Sequence, residues 1–261
     1  MLAQRIASAA VGIPLIILLI WAGGPWYAAA ASLIVLLASF EFQAVHHSDG
    51  TLGLLAAGLA AAMAAGAFVG PFWVFWFTLA GVLIPLVWVT LRGDTATGLA
   101  DWQWALSGIL YVGFLGSHIV LLRELYAGRD LVYLAVFGTF AVDTTAYFVG
   151  REFGRRKLAP AIRPGKTVEG TLGGLLGAFL VVLPMNYLLG LRLEAALIVP
   201  LALLIFVAAV LGDLAESMIK RGIHIKDTSG AIPGHGGFLD RLDSLLFTIP
   251  VVYYYVIWVV P

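Results

Sequence analysis

Residues 194–221 read EAALIVPLALLIFVAAVLGDLAESMIKR, and the fold class follows from this stretch. Up to Gly212 it is almost wholly apolar, about as long as the ~20 residues a helix needs to cross the hydrocarbon core of a bilayer. Then the chemistry changes within one residue. Asp213, Glu216, Ser217, Lys220 and Arg221 follow at spacings of three, four, seven and eight from Asp213. Those spacings place all five on one face of a continuing helix. The stretch therefore predicts a membrane-crossing helix that leaves the apolar phase carrying a charged stripe. Pairing at i,i+4 on a solvated helix end accounts for Glu216 with Lys220, but not for Asp213, which directly follows the apolar run.

Moving outward, similar apolar runs occupy 5–23, 27–45, 52–70, 72–91, 104–123, 131–149, 172–190 and 244–260, nine in all with the first. Hydrophobic residues make up 61% of the 261-residue chain and charged ones 11%, against roughly a quarter charged in soluble proteins. Strand-like alternation is absent, so helices must satisfy the backbone within the membrane. The expectation is an all-α, polytopic integral membrane protein. Residues 1–130 would form a region of membrane helices, and 131–261 a catalytic membrane region with loops at 150–171 and 213–243. The first apolar run is longer than the core of a signal peptide and a second span follows at once, so it reads as a retained helix. Cysteine is absent, which excludes disulfides, thiolate metal sites and a cysteine nucleophile.

Net charge is zero, yet the charges are unevenly distributed. With a cytoplasmic N-terminus, nine spans put 12 of the 15 Lys and Arg residues inside, leaving Arg123, Arg129 and Arg192 outside. This is the bias of the positive-inside rule. The first five spans are almost free of ionisable groups. Glu41, between Phe40 and Phe42, is an exception; an intramembrane carboxylate is a functional candidate, although one near the cytoplasmic end can also reach water. The alternating Trp and Phe of 72–78 read as an interfacial belt.

Two polar constellations remain. The first is DTTAYFVGREFGRRKLAPAIRPGKTVEGTLGG, residues 143–174. Asp143 lies inside the sixth span, where a charge is costly and faces a cavity or a partner. Arg151, Arg155, Arg156, Lys157, Arg163 and Lys166 follow, with Thr167 and Glu169 opening the next helix. Such a basic run either anchors anionic headgroups or, where backbone amides at a helix start stand beside a lysine, binds phosphate. The PGKT tetrapeptide is not a P-loop, because the upstream glycine is missing and no strand is expected before it. Gly173 and Gly177 read as close helix packing.

The second constellation, 217–243, is SMIKRGIHIKDTSGAIPGHGGFLDRLD. Its Gly234, Gly236 and Gly237 allow close backbone approach to a ligand. His235 could hold phosphate or move a proton, or make only a structural hydrogen bond. Asp240 and Asp243, at i and i+3, open the last span on one helical face, where capping competes with ligation. Carboxylates without histidine or cysteine partners suit a hard cation, most naturally magnesium. Basic groups for phosphate, acidic groups for a cation and flanking membrane segments together indicate an enzyme moving phosphoryl or nucleotidyl groups onto a membrane substrate.

These residues resemble a known family. Ser217, Lys220, Arg221, Lys226, Asp227, Ser229, Ile232, Pro233, His235, Gly236, Gly237, Asp240, Arg241, Leu242 and Asp243 follow the signature of the phosphatidate cytidylyltransferases, also called CDP-diglyceride synthetases. Upstream, Asp143-Thr144-Thr145-Ala146-Tyr147 and Arg163-Pro164-Gly165-Lys166-Thr167-Val168-Glu169-Gly170 are similar to two further family segments, departing from them at Thr145, Arg163 and Gly165.

The resemblance implies that CTP and phosphatidate, with magnesium, give CDP-diacylglycerol and pyrophosphate at the cytoplasmic side of the cell's inner membrane. It allows a second cation such as potassium and a homodimer, and implies no nucleic-acid partner. Asp213, Asp240 and Asp243 are expected to hold the metal. Lys220, Arg221, Lys226 and Arg241 are expected on the nucleotide phosphates, with Asp227 and His235 in the same catalytic set. Asp143, Arg151, Lys166, Thr167, Glu169, Ser217, Gly236 and Gly237 are expected to line the substrates. Two other readings are a CTP-dependent kinase of a polyprenol or phytol, which would release CDP, and a transporter using Asp143 and Asp213. Against the transporter, the polar groups lie mainly in loops rather than at broken helices near the midplane.

Overall fold

A computed structural model describes residues 2–45, 50–231 and 236–260. Its helices are α1 (Leu2–Ala22), α2 (Gly24–Ala44), α3 (Gly50–Val69), α4 (Pro71–Arg92), α5 (Gly98–Gly108), α6 (Leu115–Arg123), α7 (Gly128–Phe153), α8 (Val168–Leu188), α9 (Ala195–Gly222), α10 (Leu239–Leu242) and α11 (Leu245–Val259). A π-helical stretch, Ile109–Phe114, joins α5 and α6 into one span. The polytopic all-α expectation holds. Among the described residues seven helices, 24–44, 50–69, 71–92, 98–123, 128–153, 168–188 and 195–222, are long and apolar enough to cross a bilayer. The apolar helices at 12–22 and 245–259 occupy two further expected spans but are shorter.

Helix boundaries follow local chemistry. Gly23 and Gly70 take positive φ immediately before α2 and α4, each of which carries proline in its first turn. Proline there loses no intrahelical bond, and its fixed φ suits a helix start. The α4 helix ends at Gly93, which adopts the left-handed conformation.

One compact unit comprises residues 1–124 with 227–242. Within it α3 presents buried Ala56, Ala60 and Ala64, and these small residues let neighbouring backbones approach. A methyl added at Gly113 would lie 2.8 Å from the Ala60 Cα. Phe42 of α2 stacks on Trp104 of α5 at 4.7 Å, and the Trp104 indole donates to the Phe42 carbonyl at 3.2 Å. Phe72, Trp73, Phe75 and Trp76 of α4 are exposed, as a belt of interfacial aromatics requires.

The other unit comprises 125–226 with 243–261, packing α7, α8, α9 and α11 against one another. Glycines line the contact of α7 with α8: a methyl at Gly170 would lie 2.6 Å from the Ala146 carbonyl oxygen and 2.9 Å from the Gly150 Cα. Gly173 faces Val149 and Gly177 faces Thr145, as the packing reading expects.

Three local expectations need correction. The 150–171 segment is not simply a loop: β1 (Lys157–Ala159) and β2 (Arg163–Thr167) pair antiparallel within it, with an irregular register between Lys157 and Ala159. A strand therefore does precede Thr167, although the upstream glycine of a P-loop is still missing. The α7 helix runs to Phe153 rather than 149, which puts Asp143 about 15 Å from its end by helical rise. Finally, the polar stripe of α9 is not a solvated helix end, because Asp213, Glu216 and Ser217 are all buried.

Candidate active site

The unit holding α7, α8, α9 and α11 gathers its charges around Asp213. Asp213 is only 5% exposed. One carboxylate oxygen bears the Arg163 guanidinium, and the other accepts from the Lys166 ammonium at 2.7 Å. Arg163 and Lys166 both lie on β2, two and more residues before α8 begins. The hairpin thus does for α9 what neither helix could do alone: it brings two cations to a buried acid. Arg163 also approaches the Ser217 hydroxyl at 3.5 Å, one helical turn beyond Asp213.

Asp143 and Asp243 lie within electrostatic reach of Lys166 and of each other. Asp243 comes close to α9 because Gly212 has no side chain: a methyl there would lie 2.7 Å from the Asp243 carbonyl oxygen. Burial, reinforced by Arg163, pushes the Lys166 amine down to about 8, while Asp143 and Asp243 pull the other way.

Around this core the hairpin is tied in place. The Thr167 hydroxyl caps α8 by accepting from the Gly170 amide at 3.1 Å. The Glu169 carboxylate accepts the Arg155 and Arg156 amides at 3.0 and 3.1 Å. Both residues, expected against substrate, are directed at the chain itself. Arg151 is exposed and pairs only loosely with Glu152, at 3.5 Å. Lys220 is bound to the buried Glu216 at 2.7 Å. Arg221 donates to the Ile225 carbonyl at 3.3 Å and so closes the end of α9, while Lys226 is exposed.

The remaining expected residues belong to the unit of α1–α6. Asp240 is buried, and one of its oxygens accepts the Thr228 and Gly237 amides at 3.2 and 2.8 Å. Gly236 takes φ +80, and a methyl there would lie 2.6 Å from that same Asp240 oxygen. Asp227 and Arg241 are exposed. His235 lies outside the described residues. Glu41, which the sequence singled out without assigning, is buried rather than water-facing and accepts from Thr228, Ser229, Phe238 and Leu239.

Among the described residues no three acidic or imidazole side chains converge at metal-coordinating distance. The acidic groups offer only oxygen donors, the type a hard cation takes; each Asp213 oxygen is occupied by Arg163 or Lys166, and Asp143 and Asp243 lie around Lys166.

The fold and this cluster define a polytopic membrane protein with a buried acid–base cluster on α9. The cytidylyltransferase family model matches residues 3–259. The chain is similar to a phosphatidate cytidylyltransferase of Synechocystis, at 36% identity over 99% of this chain and 97% of that protein. It is also similar to proteins of that name from Bacillus subtilis, at 34% identity over 67% of this chain and 65% of the relative, and from Pseudomonas aeruginosa, at 38% over 67% and 64%. The chain is thus an integral membrane nucleotidyltransferase. It belongs to the cytidylyltransferase family.

Proposed function

We propose that this protein is a phosphatidate cytidylyltransferase of phospholipid biosynthesis, working at the cytoplasmic face of the cell's inner membrane. A phosphatidate oxygen attacks the α-phosphorus of CTP, the bond from that phosphorus to the bridging oxygen breaks, and pyrophosphate leaves with CDP-diacylglycerol as the other product. The lipid phosphate is already anionic, so the protein needs no strong base. Its task is to neutralise charge and to align the reactants.

The observation that carries this reading is the buried Asp213 with Arg163 on one oxygen and Lys166 on the other. Arg163 and Lys166 bring positive charge to the buried Asp213, and Lys220, Arg221 and Lys226 add basic side chains at and just beyond the end of α9, charge of the sign that nucleotide and lipid phosphates need. Magnesium, held by Asp213 and Asp243 with Asp143 nearby, would supply charge neutralisation for the triphosphate and for leaving pyrophosphate; a second cation such as potassium fits the same oxygen-rich surroundings. Asp240, expected as a third ligand, also accepts backbone amides of its own loop.

Incubation of the purified protein with CTP and phosphatidate, with and without magnesium, tests the proposal. Mass spectrometry should find CDP-diacylglycerol and pyrophosphate only when magnesium is present. Release of CDP without a liponucleotide would instead identify a kinase.

A further inference from the structure

Glu41 is a carboxylate inside the apolar helix α2, and nucleotidyl transfer as described above makes no use of it. Burying a charge there is costly unless its hydrogen bonds are satisfied. In this structure they are. One oxygen accepts the Ser229 hydroxyl at 2.6 Å and the Phe238 amide at 3.0 Å. The other accepts the Leu239 amide at 2.9 Å and the Thr228 hydroxyl at 3.3 Å. A carboxylate offers about four lone-pair sites, and four donors occupy them. Glu41 therefore has no acceptor left for a substrate or an ion.

The donors come from both sides of the glycine-rich loop. Thr228 and Ser229 enter it; Phe238 and Leu239 leave it and begin α10, whose first amides have no partner within the helix. Gly237 completes the arrangement, since a methyl there would collide with the Glu41 carboxylate and the Thr228 hydroxyl. Asp240 grips the same two strands of chain through the Thr228 and Gly237 amides. Two carboxylates, one from α2 and one from the loop, thus interlock on the same backbone.

We propose that Glu41 is a positioning residue, fixing the stretches 227–231 and 236–242 whose backbone carries Asp227, Asp240 and Arg241 for nucleotidyl transfer. This inference rests on the reaction proposed above. Charge-assisted bonds to an ionised acceptor are roughly twice as strong as neutral ones, so replacing Glu41 by its amide removes more than one bond. Glu41→Gln leaves one acceptor oxygen and turns an NH2 group toward two donors.

The chain has no cysteine, so Ala231→Cys carries a nitroxide spin label at a single place in the exposed part of this loop. In the full-length labelled protein in detergent, Glu41→Gln is expected to mobilise the label and to lower kcat for CDP-diacylglycerol formation about tenfold or more. The KM for phosphatidate should stay where it is, while the unfolding temperature falls by a few degrees because buried donors lose their acceptor. A spectrum and kcat unchanged from the parent would overturn the proposal, as would a fall in unfolding temperature with the label still immobile and kcat unchanged, which marks a merely structural residue. Should Glu41→Gln fail to fold, Thr228→Val with Ser229→Ala removes two donors and leaves the acid; a label still immobile in that variant also overturns it. If the unsubstituted protein makes no CDP-diacylglycerol, the reaction is wrong, and the label spectra alone decide whether Glu41 holds the loop.

Discussion

The Lys166 ammonium lies 2.7 Å from the Asp213 carboxylate although 47 positions separate them in the chain. Both side chains are largely buried, at 10% and 6% exposure. Breaking a buried pair by removing one member typically costs about 3–5 kcal/mol, because a charge is left uncompensated. Here Arg163 still faces Asp213 and burial already disfavours the ammonium, so the loss falls below that range. Lys166→Met is expected to lose less than about 3 kcal/mol of unfolding free energy and to cut turnover by about a hundredfold or more, the second effect exceeding what instability alone produces. Chemical denaturation in detergent and a CTP incorporation assay measure the two.

The same lysine sets a pH dependence. Burial holds its amine at about 8 instead of 10.5, so the ammonium needed for phosphate is lost as pH rises through about 8. Activity should show a basic limb there, and Lys166→Arg, which stays charged, should abolish the limb. Stability moves in the opposite sense. Between about 8 and 10.5 the unfolded chain holds this proton more tightly than the folded one, so raising the pH favours folding with respect to this group. A protein that becomes inactive yet no less stable from pH 8 to 9 fits this assignment; parallel loss of both contradicts it.

Helix packing offers a test free of chemistry. A methyl at Gly170 meets the Thr167 hydroxyl and two backbone atoms that cannot turn away, the Ala146 carbonyl oxygen and the Gly150 Cα. Gly170→Ala should therefore destabilise by about 1–3 kcal/mol through overpacking. The fall in unfolding temperature should appear with and without substrate.

Glu169 ties the Arg155 and Arg156 amides to the start of α8. Glu169→Gln keeps one good acceptor and loses the charge, so the segment between α7 and β1 should open more often. Limited trypsin digestion should cleave after Arg155 or Arg156 several-fold faster, while far-ultraviolet circular dichroism stays unchanged. No change in cleavage rate would remove Glu169 from this role.

Much of this was legible in the sequence, for reasons that differ by element. Long apolar runs marked the spans because a bilayer leaves few alternatives to helix. The position of Asp213 straight after an apolar run marked it as a special charge, and the structure places two cations on it. Its partners were not legible. Arg163 departs from the family segment, and nothing in its neighbours shows that a two-stranded hairpin will carry it to α9. Short strands such as β1 and β2 leave too few residues for a period to register. Glu41 stood out as a charge in an apolar helix, yet its donors lie 187 to 198 positions away, beyond the reach of any local pattern. Thr167 and Glu169 carried the polar character expected of substrate contacts, and the same character also serves the chain: Thr167 caps α8 and Glu169 accepts the Arg155 and Arg156 amides.

In the proposed reaction the α-phosphate of CTP passes to a lipid phosphate while the β- and γ-phosphates depart together. Parallel reactions with CTP labelled at the α- or at the γ-phosphate, extracted into organic and aqueous phases, test this most directly. The α-label is expected in the lipid phase as CDP-diacylglycerol and the γ-label in aqueous pyrophosphate. Label from the γ-position in the lipid, with α-label left in soluble CDP, would contradict it.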